Sequence, residues 1–455
     1  MKPIEEEYDG FCSAGGRHEE GVNWFPLDNA AKIFPSIQGA KYTTLFRLAV
    51  VLDHPVKIES LQRALDRVMQ RYPYFLVEVR RGIFWYYLER LDGRIKIGPD
   101  GRSPCMRYHL HVKGAYLLRV RVYRRRIAVE FCHALTDGVG ASFFLRSLVC
   151  EYFRQCGTEI SDWMDIPNPD DHPEPGEFRD ANQIMGLEKL PYPVPRSAAY
   201  HVKGQLIPKH EYKIITGLIP LDQIQAVAHG KGASVTEYLT AVLFWSLQDW
   251  IDSQPAWRQK KWKRLPLRVL IPVNMRPYYP SRTRRNFFLF VDPEIDLRLG
   301  SYDFEEILER VHSYMRLERT KKSLNRHLAR NVGGERSWYV RIMPLFLKDI
   351  VIKIIYHFTG DRRNTTSFSS LGKLKFPPEV SSHIDWAEFI PPPSAQYRFS
   401  VSSVIHEQTV ALTFGSFLWK SEIEKRFFRF LRRQGVQSKI ISNKEAICHT
   451  VRNAE

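Results

Sequence analysis

The sequence predicts an α/β fold (α+β, two-layer) built as two lobes. Three observations predict it. Strand-like alternation and helix-like periodicity follow one another along the chain, most clearly at 126–131 and then 141–154. The length of 455 residues far exceeds one ordinary core, so two domains are the natural division. Residues 166–195 are dense in proline and aspartate, and proline, lacking an amide proton, breaks regular elements.

Taken in order, residues 1–22 are polar and glycine-containing and read as a loose arm. The first lobe, 23–165, is expected to hold a strand at 42–52, a helix at 58–71 and strands at 75–79 and 84–89. Strands within 110–122 and at 127–131 follow, and then a helix. The proline-rich crossover linker is placed at 166–210 and the second lobe at 211–455. In that lobe Ser234 can cap a helix while Glu237, three residues on, returns the bond. No short internal repeat is visible.

One segment carries chemistry: Phe131-Cys132-His133-Ala134-Leu135-Thr136-Asp137-Gly138. His133 stands where a strand ends and a helix begins, the place where α/β proteins put reactive groups. A neutral imidazole can take a proton from a hydroxyl or amine and pass it on. Asp137 can brace the turn, through backbone amides or an arginine from elsewhere, and Gly138 can supply a tight turn with positive φ. Cys132 is a poor nucleophile candidate, because neighbouring strand residues face opposite ways and Cys132 then points into the core. An Asp-Gly pair is also an ordinary turn, so the segment alone does not establish catalysis.

The segment resembles the HxxxDG motif of the chloramphenicol acetyltransferase-like superfamily. That group includes plant BAHD acyltransferases, peptide-synthetase condensation domains, wax-ester synthases and alcohol acetyltransferases. Further stretches resemble the family in the same order, over roughly residues 25–435. Ser60 to Val68 with Arg71-Tyr72-Pro73 looks like its opening helix, and 221–224 with 232–241 looks like the paired helices of its second lobe. Ile271-Pro272-Val273-Asn274-Met275-Arg276-Pro277 is similar to a "PVNxRP" strand end. Asn286-Phe287 falls where the family often has a Gly-Asn or similar. Thr366-Ser367-Phe368-Ser369-Ser370-Leu371-Gly372 resembles an "SNxG" strand, with Ser370 where asparagine is usual. Residues 412–419 lack the Asp and second Gly of the BAHD motif Asp-Phe-Gly-Trp-Gly, which argues against that branch and leaves the alcohol acetyltransferase and condensation-like branches.

The resemblance implies two lobes, each a mixed sheet flanked by helices, with a tunnel between them and the HxxxDG turn at its centre. It implies an acyltransferase moving an acyl group, acetyl first among them, from acyl-CoA to the hydroxyl or amine of a small-molecule acceptor. His133 is then the general base, Asp137 a structural support paired with an arginine, for which Arg276 is the candidate, and Gly138 the turn. Asn274 and Asn286 are support candidates, and Ser369, Thr366 or the backbone near Gly138 are candidate oxyanion donors. Acyl-CoA is a co-substrate; no bound cofactor, metal or covalent acyl-enzyme is required. A condensation-like enzyme with a carrier-bound donor is the alternative, and a non-catalytic relative of the same fold the other.

The net charge of +17 fits an acidic partner such as coenzyme A or an acyl carrier protein. Nucleic acid is not expected, because the basic clusters are scattered and no nucleic-acid motif is present. Membrane contact through the basic, aromatic stretch 423–433 is an option, but packing of that helix on the second lobe is favoured. No apolar run reaches the roughly 20 residues of a bilayer span. The longest, 343–358, is interrupted by Lys348, Asp349 and Lys353. The acidic N-terminus is no secretory signal, and six cysteines without metal-like or CxxC spacing fit a reduced, cytoplasmic setting.

Overall fold

The computed structural model describes residues 24–39, 43–106, 108–174, 176–183, 190, 196–336, 338–394 and 397–443. The arm expected at 1–22 lies outside them. The described residues form mixed β-sheets flanked by helices.

The strand Leu45–Leu52 is buried along its whole length, as its nearly unbroken apolar run requires. It lies inside a five-stranded sheet. Ile384–Ile390 pairs on one side and Arg126–Cys132 on the other, followed by Leu118–Tyr123 and Gly98–Pro99. The one charge in that strand, Arg47, is buried between Asp100 and Glu130, each 2.6 Å from Nη2. Burial alone would raise the Glu130 pKa, but Arg47 and Arg119 outweigh it and hold the group at about 2. The helices Ile58–Arg71 and Gly138–Gln155 pack together and close this lobe. Pro73 starts a 3-10 turn, Pro73–Phe75, so the strand expected at 75–79 forms at Val77–Arg81.

The larger sheet runs Phe288–Val291, Leu267–Asn274, Thr366–Lys373, Phe399–His406, Thr409–Ser416, Lys213–Pro220 and Lys439–Ser442. Thr366–Lys373 is parallel to both its neighbours. The helix Val235–Asp252 begins with the expected reciprocal cap: Glu237 N donates to Ser234 Oγ, and Ser234 N donates to Glu237 Oε2 at 2.8 Å. The helix Glu422–Arg433 buries Ile423, Phe427, Phe428, Phe430 and Leu431 against this lobe, so its apolar face is closed to a membrane.

Two features depart from lobes that follow one another in sequence. Ile384–Ile390, from the later half of the chain, completes the first sheet. Without it Leu45–Leu52 would be a long apolar edge with unpaired backbone groups. The described part of the proline-rich segment is also held down. Glu177 is buried on Arg71 (2.8 and 2.6 Å) and Tyr74 (2.6 Å), while Thr283 Oγ1 donates to the Arg179 carbonyl at 2.6 Å. Among the described residues, no helix is long and apolar enough to cross a membrane.

Candidate active site

His133 follows the last residue of Arg126–Cys132, and its backbone N–H donates to Thr44 O at 2.9 Å. The imidazole lies between two aromatic rings, Phe34 (centroids 5.0 Å apart, stacked) and Phe46 (4.5 Å), with Phe288 edge-on at 6.2 Å. Nδ1 is buried and has no hydrogen bond of good geometry among the described residues. Burial pushes the His133 pKa down to about 4, against the opposing pull of the Asp137 charge, the Asn286 side chain and the Thr136 backbone. The ring is therefore neutral at physiological pH. Cys132 points the other way, into the core, 3.2 Å from Thr44 Oγ1, and burial pushes its thiol up to about 11.

Asp137 is the N-cap of Gly138–Gln155, its Oδ1 accepting from Gly140 N at 2.8 Å. Oδ2 accepts from Phe287 N and from Arg276 Nη1, both at 2.9 Å, and Arg276 Nη2 reaches Oδ1 at 3.3 Å. This is a two-pronged guanidinium–carboxylate pair, the strongest geometry such a pair has. Arg276 is itself held by the Thr283 and Arg285 carbonyls and by Asn274 Oδ1, which accepts from Arg276 N at 3.1 Å and Nη1 at 3.2 Å. The carboxylate is thus committed to the helix start and to the loop 276–287 of the second lobe.

Asn286 joins the same group from that loop. Its Nδ2 donates to the His133 carbonyl and to Asp28 Oδ2, both at 2.9 Å. Burial pushes the Asp28 carboxyl up to about 6, although Arg285, 3.4 Å away, pulls it down. Asp28 and Phe34 escape sequence reading, because each lies far from the motif in a stretch with no pattern of its own; Phe46 lies in an expected strand, but nothing local links that strand to His133. The basic cluster at 282–285 is largely internal: Arg285 is buried beside Asp28 and over Phe178, and Arg284 lies 3.5 Å over the Phe143 ring. Those arginines serve packing and are not a surface for an anion.

Two expectations change. Gly138 has no positive φ; it is the first residue of the helix, and a Cβ there would meet nothing nearer than Leu371 Cδ1 at 3.4 Å. The glycine that space demands is Gly140, where a Cβ would overlap the Arg284 carbonyl oxygen and Thr136 Oγ1. Gly140→Ala is expected to cost about 1–3 kcal/mol, because backbone cannot swing aside as a side-chain tip can, whereas Gly138→Ala stays near neutral. Urea unfolding of the two variants separates them; equal midpoints would refute the assignment. Thr366 Oγ1 donates to the Phe399 carbonyl at 2.8 Å and is fully buried, so its hydroxyl is a strut between strands, not an oxyanion donor. Ser369 is half-buried further along the same strand, whose Leu371 reaches Gly138.

No family model and no curated protein matches this sequence. Solved structures do match across nearly the whole chain. Polyketide synthase associated protein 5 from Mycobacterium tuberculosis aligns with a TM-score of 0.58 and 12% identity, covering 89% of this chain and 96% of that one. A mutant of the starter condensation domain of rhizomide synthetase, in complex with C8-CoA, gives 0.58 and 12%, covering 90% and 95%. F. sporotrichioides TRI101, complexed with coenzyme A and T-2, gives 0.58 and 11%, covering 92% and 100%. The mixed sheets, the helices on them and this end-to-end coverage together show the two-lobed chloramphenicol acetyltransferase-like fold of condensation domains and acetyltransferases.

Proposed function

We propose that the chain is an acyltransferase with His133 as general base, moving an acyl group from acyl-CoA to the hydroxyl or amine of a small acceptor. The observation that carries this reading is a neutral imidazole at a strand-to-helix junction whose neighbouring carboxylate is committed elsewhere. Here Asp137 holds the turn and leaves the ring to its aromatic neighbours.

Nδ1 is shut away, so Nε2 is the nitrogen left to face a reactant. It takes the proton as the acceptor oxygen or nitrogen attacks the thioester carbonyl. The tetrahedral oxyanion collapses, the carbon–sulfur bond breaks, and His133 returns the proton to the departing thiolate. Asn274, Arg276 and Asn286 act as positioning residues through Asp137 and the His133 carbonyl. Ser369 is the side-chain candidate for the oxyanion donor. The neighbours solved with coenzyme A and C8-CoA support acyl-CoA as the donor. The condensation-domain neighbour keeps a carrier-bound donor as the second reading. A reduced, cytoplasmic setting fits Cys105, Cys132, Cys150 and Cys156, all free.

Thiol release from acetyl-CoA and longer acyl-CoAs, with a panel of alcohols and amines, tests the proposal. Acceptor-dependent release supports it. Absence of release by the folded protein from CoA and from carrier-bound donors alike would leave a non-catalytic relative.

The protonation state adds a pH signature. The base works only when neutral, so kcat/KM should stay flat through neutrality and fall as pH drops towards about 4. An unperturbed imidazole would place that limb near ~6.5. The folded pKa is depressed, so the unfolded chain binds the proton first as pH falls through this window. Wild-type stability should therefore fall relative to His133→Ala between about pH 6.5 and 4, and the two should run parallel above it. A kcat/KM limb at the unperturbed position would overturn the depressed pKa of this base.

A further inference from the structure

The helix Leu345–Ile355 is folded inside out. Two of the three charged residues that interrupt the apolar run, Lys348 and Asp349, point into the protein. Lys348 is only 3% exposed, donates to the Phe84 carbonyl at 2.7 Å and sits 3.7 Å from the Trp85 ring. Asp349 accepts from Ser36 Oγ at 2.7 Å and from the Tyr86 hydroxyl at 3.0 Å. The apolar residues point out: Phe346, Ile350 and Ile354 are 56%, 55% and 53% exposed. A helix bathed only in water has the reverse arrangement.

The outward face does not stand alone. Ile83 and Phe84, exposed at the tip of the hairpin Val77–Arg90, adjoin it, with Leu345 N donating to the Ile83 carbonyl at 2.9 Å. Trp338 and Tyr339, also exposed, precede it, as aromatic residues do at a lipid–water boundary. An apolar surface of this extent marks a contact site. Charge identifies the contact. Between 338 and 358 the only carboxylate is Asp349, turned inward, whereas Arg341 and Lys353 are exposed. Apolar side chains rimmed by cations and free of outward anions complement an anionic bilayer surface.

We propose that this face docks the protein on anionic membranes, lying in the interface without crossing it. Docking does not depend on the acyl-transfer reading, but it bears on where a reactant enters. The helix packs on the short helix Phe34–Ile37, whose Phe34 stacks on His133.

Co-sedimentation of the full chain with phosphatidylcholine vesicles, with and without phosphatidylserine, tests this. Binding should require phosphatidylserine, weaken with salt, and fall at least about tenfold in the double variant Ile350→Glu, Ile354→Glu. Both positions are exposed, so circular dichroism and the melting midpoint should stay as in wild type. No binding to anionic vesicles, or equal binding by the double variant, would overturn the proposal. So would a soluble dimer that the same substitutions split while vesicles bind neither form, which would assign the face to a second copy.

Discussion

His133→Ala should remain folded and lose about 10²–10⁴-fold in acyl transfer, the range that a positioned base contributes. The imidazole makes no side-chain hydrogen bond of good geometry through Nδ1, and its burial opposes only its charged form. Removing it therefore breaks no strong side-chain bond at Nδ1 and opens a gap between Phe34 and Phe46. Thermal unfolding and thiol release, measured on one preparation, give both answers. A folded variant that transfers at the wild-type rate would end the case for His133 as the base. An unfolded variant would show that the ring is a packing element, and His133→Gln, which keeps bulk without a base, would then carry the test of chemistry.

Asp137→Ala should behave in the opposite way, losing about 3–5 kcal/mol of stability, because a guanidinium is left buried without its counter-charge. The carboxylate joins the helix cap, the Phe287 amide and Arg276, so one substitution breaks three connections. Arg276→Ala should cost a similar amount, and the double variant should cost clearly less than the sum, since each single change already breaks the pair. Urea unfolding of the four proteins measures this. Single-variant costs under about 1 kcal/mol that simply add would reduce the pair to an ordinary surface salt bridge. In this variant, activity should follow the folded fraction.

How much of this was readable depended on whether a feature is local. The helix Ile58–Arg71 has a clean apolar period and stops before Pro73, and its limits match the expectation. The start of the post-motif helix came earlier than expected, at Gly138, because Asp137 itself caps it. The Arg276 partnership with Asp137 came into view only through the likeness of 271–277 to a known strand end, since no local rule links residues so far apart. Asp28, Phe34 and Phe46 had no such aid; they meet His133 only through the packing of separate elements. The segment 343–358 showed its apolar character in sequence. Periodicity fixes which residues share a face, but it cannot say which face turns inward.

The strand Ile384–Ile390 has a consequence for how the protein is made. Residues 24–165 leave the ribosome long before it does, with the strand Leu45–Leu52 lacking the neighbour at its edge. Until residue 390 has been synthesised, that apolar edge is open to pair with another nascent chain. Ile390 meets Arg47 across most of the polypeptide, so the last step in closing the first sheet is a long-range one and intrinsically slow. Translation that stalls or terminates before this point should yield an aggregating fragment, and the first half expressed alone should need a chaperone or the missing strand supplied in trans.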